Sequence, residues 1–204
     1  MNMQASATHQ IDSQIWKSGV LNPEDHLRLV LNMDSIASRA GLGERYKELL
    51  WTPTEDGLLS NMELQWATAV VAYARTHSWS MPKLGIAYPS NTPRVHDRMR
   101  QITAKLLRNI VDCRVLTIHE ILAEKKATGT VEGTAILCPD FVLPEYMSTF
   151  SDWDRKELIA FIKDRSKDGL PTSIYLGVEV SDLKAHGKFP SVAQEILQSF
   201  VTKG

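Results

Sequence analysis

The sequence predicts an α/β fold in which a parallel β-sheet is flanked by helices. Short apolar runs alternate with longer segments whose apolar residues recur every three or four positions. This alternation is typical of buried parallel strands joined by amphipathic helices. In addition, residues 84–95 read as a strand, a turn-rich loop and a helix start in direct succession. Phosphate-binding loops are built in this order.

Composition narrows the class of protein. The 204 residues, 43% hydrophobic and 23% charged, suit one globular domain with a short extension. A net charge of -1 argues against a generally basic nucleic-acid binder. No apolar run is long enough to span a bilayer, and residues 1–14 lack the features of a signal peptide. We expect a cytoplasmic protein in which Cys113 and Cys138 are buried thiols.

The first helix is expected to begin at Asn22 and Pro23, because asparagine caps helices and proline suits their first position. It is expected to end near Gly41, where glycine suits the C-cap. Its buried face is expected to carry three apolar side chains, those of Leu27, Val30 and Leu31.

Residues 1–39 are therefore interpreted as a short helical N-terminal extension, ahead of a main domain at residues 40–204. The first 20 residues have weak periodicity and are expected to be partly flexible. Ile15 and Trp16 stand out in this polar stretch. They are candidates for anchoring a partner protein, and docking onto their own domain is the alternative.

The main domain is expected to contain four strands and five helices. The first of these helices runs from a cap at Asn61 to about His77. The strands are expected at residues 83–87, 114–118, 134–138 and 172–178. The remaining helices are expected after the loop that ends at residue 94, at residues 120–127, after a cap at Asp152, and at residues 191–201.

Four segments give this order of elements a family likeness. They are residues 40–46 (Ala-Gly-Leu-Gly-Glu-Arg-Tyr), 66–75, 152–158 (Asp-Trp-Asp-Arg-Lys-Glu-Leu) and 164–172. Together they resemble the AAA+ ATPases of the DnaC-type helicase loaders and their IstB-type transposition relatives. The last two segments are the most specific. The resemblance covers about residues 40–200 and implies a three-layer, P-loop NTPase-like (AAA+/RecA-like) sheet.

The loop that corresponds to the family's Walker A motif departs from it. The family sequence Gly-Pro-Pro-Gly-Thr-Gly-Lys-Thr falls on Tyr-Pro-Ser-Asn-Thr-Pro-Arg-Val. Tyr88, Asn91 and Pro93 replace glycines that let backbone N–H groups converge on phosphate, and proline has no N–H. Arg94 keeps the charge of the lysine without its compact ammonium, and Val95 lacks the hydroxyl that would bind Mg²⁺.

Three other parts of the phosphoryl-transfer machinery are also missing by this resemblance. Pro139 stands where the family has its Mg²⁺-binding aspartate, although Asp140 survives beside it. Gly177 stands at the sensor asparagine, and no arginine follows Arg165 to serve as an arginine finger. The resemblance therefore implies a pseudo-ATPase with no cofactor and no metal ion. It also implies a shorter sheet, because the chain stops about where the family's closing strand would begin.

A basic cluster follows the degenerate loop. Its members are Arg94, Arg98, Arg100, Lys105 and Arg108. They could contact DNA phosphates or an acidic partner, or they could form a solvated helix face.

The resemblance favours a catalytically inactive helicase-loader-like protein that acts in DNA replication through protein–protein contacts. Its expected partner is the replicative helicase or its loader, or a related AAA+ ATPase, which it would regulate or inhibit. Membership in an oligomer and an origin in a mobile element are compatible with this reading. The alternative is a DNA-binding accessory factor in replication or transposition that uses the basic segment 94–114. A divergent but active ATPase is the third reading.

Overall fold

Five parallel strands form the sheet of the computed structural model, which describes residues 15–52, 58–81, 83–141, 149–179 and 198–202. The strands are β1 (Gly85–Tyr88), β2 (Cys113–Val115), β3 (Ala135–Cys138), β4 (Thr172–Tyr175) and β5 (Phe200–Thr202). Their order is β2-β3-β4-β1-β5, and every pair is parallel. The predicted parallel sheet is confirmed.

Seven α-helices lie wholly within the described part of the chain and surround this sheet, and residues 15–17 are also helical. They are α1 (Pro23–Leu31), α2 (Met33–Arg39), α3 (Gly43–Tyr46), α4 (Asn61–Thr76), α5 (Val95–Arg108), α6 (Ile118–Thr128) and α7 (Asp152–Lys167). A short 3-10 helix, Lys47–Leu50, follows α3.

Two apolar cores, one on each face of the sheet, give the fold its three layers. Alternation along β1 directs Ile86 and Tyr88 into one core and Ala87 into the other. The first core contains side chains of α1, α2, α4 and α5, and the second contains those of α6 and α7. Both cysteine thiols are buried and free, as predicted.

The pairing of β1, an interior strand, with both of its neighbours depends on a glycine. Gly85 pairs with Thr172 of β4 on one side and with Phe200 of β5 on the other. A side chain at this position would overlap the Thr172 carbonyl oxygen and the Phe200 ring. Only glycine allows the two neighbouring strands to approach β1 this closely.

The C-terminal prediction was wrong in two respects. Residues 198–199 of the predicted helix are helical, but Phe200 and Val201 belong to strand β5, and residues 191–197 lie outside the described residues. The sheet also has a fifth strand, so it is not shortened as expected. A short apolar run suits a helix and a buried strand equally well, and here pairing with β1 decides for the strand.

The N-terminal helical region begins as predicted but buries a different face. The Asn22 side chain accepts a hydrogen bond from the Asp25 N–H at 2.8 Å and so caps α1. A break at Asn32 separates α1 from α2. Leu27 and Leu31, predicted to be buried, are 51% and 64% exposed. The buried stripe consists instead of residues spaced by four, Leu29, Met33 and Ala37.

The helix caps also differ from the predicted ones. Ser60 and Ser151, not Asn61 and Asp152, cap α4 and α7, and each forms a reciprocal capping box with the acid three residues later. Helix α6 begins at Ile118, two residues before its predicted start, after a capping box of Thr117 with Glu120. Strand β2 ends at Val115, before its predicted end at residue 118, because the cap at Thr117 already begins α6.

The start of the described chain packs onto the domain. Ile15 is 2% exposed within the first core, and Trp16 packs against that core. Both residues therefore dock onto their own domain, which was the predicted alternative to anchoring a partner. The division at residue 40 stays a prediction, and residues 1–14 lie outside the described part. No helix among the described residues is long and apolar enough to cross a membrane.

Candidate functional site at the carboxyl end of the sheet

The candidate site lies where loops leave the carboxyl ends of β1, β3 and β4, the end at which open α/β sheets bind ligands. Tyr88, predicted as the first residue of the degenerate loop, is instead the last residue of β1 and is fully buried. The loop proper is residues 89–94. Helix α5 then begins at Val95, whose side chain is buried.

Several hydrogen bonds join this loop to the segment that follows β4. The Ser90 N–H donates to the Val178 carbonyl at 3.2 Å, and the Leu176 N–H donates to the Tyr88 carbonyl at 2.8 Å. The Tyr175 hydroxyl donates to the Ser90 carbonyl at 3.2 Å, and the Ser90 hydroxyl donates to the Glu179 carboxylate. The contact between β1 and β4 therefore continues past both strands.

A buried carboxylate lies beneath the loop. Glu63, in the first turn of α4, is fully buried. Its Oε2 accepts from the Ser60 N–H at 2.6 Å, the Ser60 hydroxyl at 2.6 Å and Arg98 Nη1 at 2.7 Å. Its Oε1 accepts from the Tyr88 hydroxyl at 2.9 Å. Four donors thus compensate a buried negative charge that would otherwise be very costly.

This carboxylate is connected to both ends of the loop. Tyr88, just before the loop, binds Glu63 directly. Pro93, near its end, is joined through Arg98, whose Nε donates to the Pro93 carbonyl at 3.1 Å while its Nη1 binds Glu63. Burial, and then the Glu63 charge, raise the pKa of Tyr88 well above its ordinary value, so this tyrosine is neutral at physiological pH. We call Glu63, Tyr88 and Arg98 the buried triad.

The N-terminus of α5 carries a carboxylate of its own. Arg94, with a left-handed φ of 51°, is the N-cap residue, and no side-chain cap is present. Its Nε donates to Asp97 Oδ2 at 3.1 Å. Asp97 therefore places negative charge in the first helical turn, where the helix dipole would otherwise favour a phosphate. Asn91 and Pro93 are exposed.

The remaining residues of the predicted degenerate site have structural roles. Pro139 is buried after β3. Asp140 Oδ1 accepts from the Ile118 N–H at 2.9 Å, so it supports the start of α6, and it also accepts from the Cys138 thiol at 3.4 Å. Gly177 adopts a left-handed φ of 67°, which favours glycine. In the described ranges, no cluster of three or more potential ligand residues could hold a metal ion.

The five predicted basic residues do not form one surface. Arg98 binds the buried Glu63, and its side chain is 13% exposed. Arg108 donates to the Leu49 carbonyl, and burial lowers the pKa of its guanidinium. Arg100 lies against the Tyr46 ring. Arg94 pairs with Asp97, as described above, and Lys105 is half-buried on α5.

Glu63 is the important residue that the sequence interpretation missed. One signal was available, because Ser60 and Glu63 stand in the Ser-x-x-Glu pattern of a capping box. The choice of Asn61 as the cap hid this pattern. The link between Glu63 and Tyr88 had no local signal, since it depends on how α4 packs beside β1.

No protein-family model matches the chain, and no curated protein does either. Among solved structures, the crystal structure of a putative primosome component from Streptococcus pyogenes serotype M3 is similar to the structure of this chain. That match has a TM-score of 0.53 and 11% identity over 82% of this chain and 93% of the other. The crystal structure of DnaI matches with a TM-score of 0.48 and 15% identity over 76% and 88% of the two chains. The first likeness supports the fold, a parallel sheet flanked by helices as the sequence predicts.

Proposed function

We propose that the protein is a helicase-loader-like binding protein of DNA replication that acts through protein contacts and does not hydrolyse ATP. One observation carries the proposal. The buried triad ties both ends of the loop between β1 and α5 to a single carboxylate, in the place where a nucleotide-hydrolysing relative would cradle phosphate. A loop held in this way serves better as a rigid surface than as a phosphate cradle.

The charges around the loop support the absence of hydrolysis. Phosphate would have to approach a helix N-terminus that already contains Asp97, beside the buried Glu63. Arg94, at the position of the lysine of a phosphate-binding loop, is paired with Asp97. Val95, at the next position, has no hydroxyl that could bind Mg²⁺. Asp140, the surviving acid after β3, is engaged by the first N–H of α6.

The role in replication rests on likeness. The Streptococcus pyogenes protein that shares the fold is described as a primosome component, and residues 152–172 resemble the helicase loaders. We therefore expect the partner to be a replicative helicase, its loader or a related AAA+ ATPase. A subunit that binds such an assembly without hydrolysing ATP would regulate or block it. The DNA-binding alternative gains no support from Arg98 and Arg108, whose guanidinium groups bind Glu63 and the Leu49 carbonyl.

Two measurements test the proposal. Isothermal titration with ATP and Mg²⁺ should give no binding heat, whereas an active loader of this fold, measured in parallel, should bind. Native mass spectrometry of the full chain with the host helicase and with its loader should detect a complex at micromolar concentrations. A binding heat with ATP and Mg²⁺ comparable to that of the active loader would refute the first part of the proposal, and the absence of a complex with either partner would refute the second.

A further inference from the structure

A second charged cluster lies beside the N-terminal half of α5. The Tyr46 ring of α3 has the guanidinium carbon of Arg100 4.2 Å from its centroid and that of Arg45 5.5 Å away. The Tyr46 hydroxyl donates to Asp97 Oδ1 at 3.4 Å, and Asp97 Oδ2 accepts from Arg94. We call these five residues the arginine–tyrosine cluster. Three guanidinium groups and one carboxylate leave it with two excess positive charges.

Two of these arginines lack a counter-charge. Within the described ranges, neither Arg45 nor Arg100 forms an ion pair, and the buried Nε of Arg100 has no hydrogen-bond partner. Contact with the Tyr46 ring offsets part of the cost of crowding these cations. It does not supply the oxygen acceptors that a guanidinium group binds most strongly. The ring also limits how far Arg100 can move, so its guanidinium group is partly pre-oriented.

We propose that the arginine–tyrosine cluster is the docking site for a short acidic segment of a partner protein, whose carboxylates bind Arg45 and Arg100. The planar fork of a guanidinium group matches a carboxylate in two parallel hydrogen bonds. The inference deepens the proposed function, on which it rests for the identity of the partner. Recognition of an acidic segment here does not itself depend on which protein carries that segment.

The surroundings favour an acidic peptide over nucleic acid. Binding to a nucleic-acid backbone gains strength from many cations that each neutralise a phosphate. Here the neighbouring cations are already engaged: Arg98 binds Glu63, and Lys47 binds Asp34 and Glu44. Asp97 adds a negative charge within the cluster itself. Two unpaired guanidinium groups suit a motif with two or three carboxylates.

The test is a titration of the full ¹⁵N-labelled chain followed by NMR of the arginine Nε–H signals. The probe is an acetylated hexaglutamate peptide, compared at equal ionic strength with a hexathymidylate oligonucleotide. The signals of Arg45 and Arg100 should shift with the peptide. The Arg45→Gln/Arg100→Gln double variant should bind the peptide about tenfold more weakly or worse. Arg75→Gln, an exposed arginine in the last turn of α4, is the matched control and should bind normally.

Unchanged peptide affinity in the double variant would overturn the inference. Equal or tighter binding of the oligonucleotide through the same arginines would overturn it in favour of nucleic acid. If the double variant does not fold, the exposed Arg45→Gln change alone carries the test, with about threefold weaker binding expected. A failed helicase complex with intact peptide binding would reject the proposed function and leave the docking site standing. The reverse result would reject the docking site alone.

Discussion

The two ends of the sheet are each held by one buried charged residue, but in different ways. At the carboxyl end, Glu63 gathers side chains, including the charged Arg98. At the amino end, Arg165 of α7 gathers neutral groups that precede or begin β3 and β4. The acceptors of its guanidinium are the carbonyls of Gly133 at 3.1 Å, Thr134 at 3.1 Å and Pro171 at 2.9 Å, and the hydroxyl of Thr172 at 2.7 Å.

The amino-end contacts fall in the segment that carries the clearest sequence resemblance. Arg165, Pro171 and Thr172 belong to the segment 164–172, which resembles the helicase loaders most closely. Their contacts hold two strands and a helix together, so any chain with this fold can use them whether or not it binds a nucleotide. The loop after β1 has no such general duty. There, Tyr88 and Arg98 bind Glu63, and the loop lacks the glycines that a phosphate-binding loop requires.

Removal of Glu63 should have the largest effect on stability. Glu63→Ala leaves the Arg98 guanidinium buried without its counter-charge, so we expect the free energy of unfolding to fall by about 3–5 kcal/mol in urea denaturation. Adding Arg98→Met to this variant should recover part of the loss, because it removes the stranded charge. Strictly additive effects of the two changes would contradict a buried, coupled pair.

Removal of Arg165 should be nearly as costly. Arg165→Met leaves three carbonyls and one hydroxyl without their donor, and a loss of about 3 kcal/mol is expected. Lys163→Met, an exposed change on the same helix, should stay within about 0.5 kcal/mol of the wild type. Burial lowers the pKa of Arg165 to about 9, still high enough for it to be charged at neutral pH. If Arg165→Met matched the Lys163 control, Arg165 would not be what holds this end of the sheet.

Much of the fold could be predicted from local patterns. In the sequence, Val95, Met99, Ile102 and Leu106 recur at intervals of three and four residues. This spacing predicts the buried face of a helix, and all four are buried in α5. The buried face of α1 was predicted wrongly because Leu27 and Leu29 belong to two different apolar rows of the helix. Local spacing cannot show which of the two rows faces the core. The helix prediction at Phe200 was wrong for a related reason, since only pairing with β1 distinguishes this strand from a helix.

The site was predictable in position but not in arrangement. The strand–loop–helix order located the loop before α5, whereas the different chemistry inferred from its missing glycines stays a prediction. Which side chains fill the space beneath it depends on contacts between residues far apart in sequence. Glu63 and Tyr88 are separated by 25 positions, and Glu63 and Arg98 by 35. No periodicity or motif links such pairs, so a charged residue in an apolar stripe was overlooked.

The smallest effect on stability is expected from removal of the Tyr88 hydroxyl, which tests its contribution separately from that of the Glu63–Arg98 ion pair. Tyr88→Phe keeps the ring in the core and removes one donor to Glu63, so a loss of about 1–2 kcal/mol is expected at neutral pH. A loss as large as that of Glu63→Ala would mean that the hydroxyl, and not Arg98, is the main partner of the carboxylate. Tyr175→Phe, which removes a partly exposed hydroxyl from the loop, is the matched control and should cost less.

The same variant should change how stability depends on pH. Burial, and then Glu63, raise the pKa of Tyr88 in the folded protein well above its ordinary value of 10.0. Between the ordinary pKa and the raised pKa, the unfolded chain loses the proton of the Tyr88 hydroxyl and the folded protein keeps it. The free energy of unfolding therefore falls as pH rises. The contribution of Tyr88 is full below the ordinary pKa and is lost above it, at up to about 1.4 kcal/mol per pH unit.

Urea denaturation at several pH values should therefore show the advantage of the wild type over Tyr88→Phe shrinking above about pH 10. Titration of the other tyrosines and the lysines is common to both proteins and cancels in the difference. An advantage that stays constant with pH would mean that neither burial nor Glu63 raises the pKa of the Tyr88 hydroxyl in the folded protein.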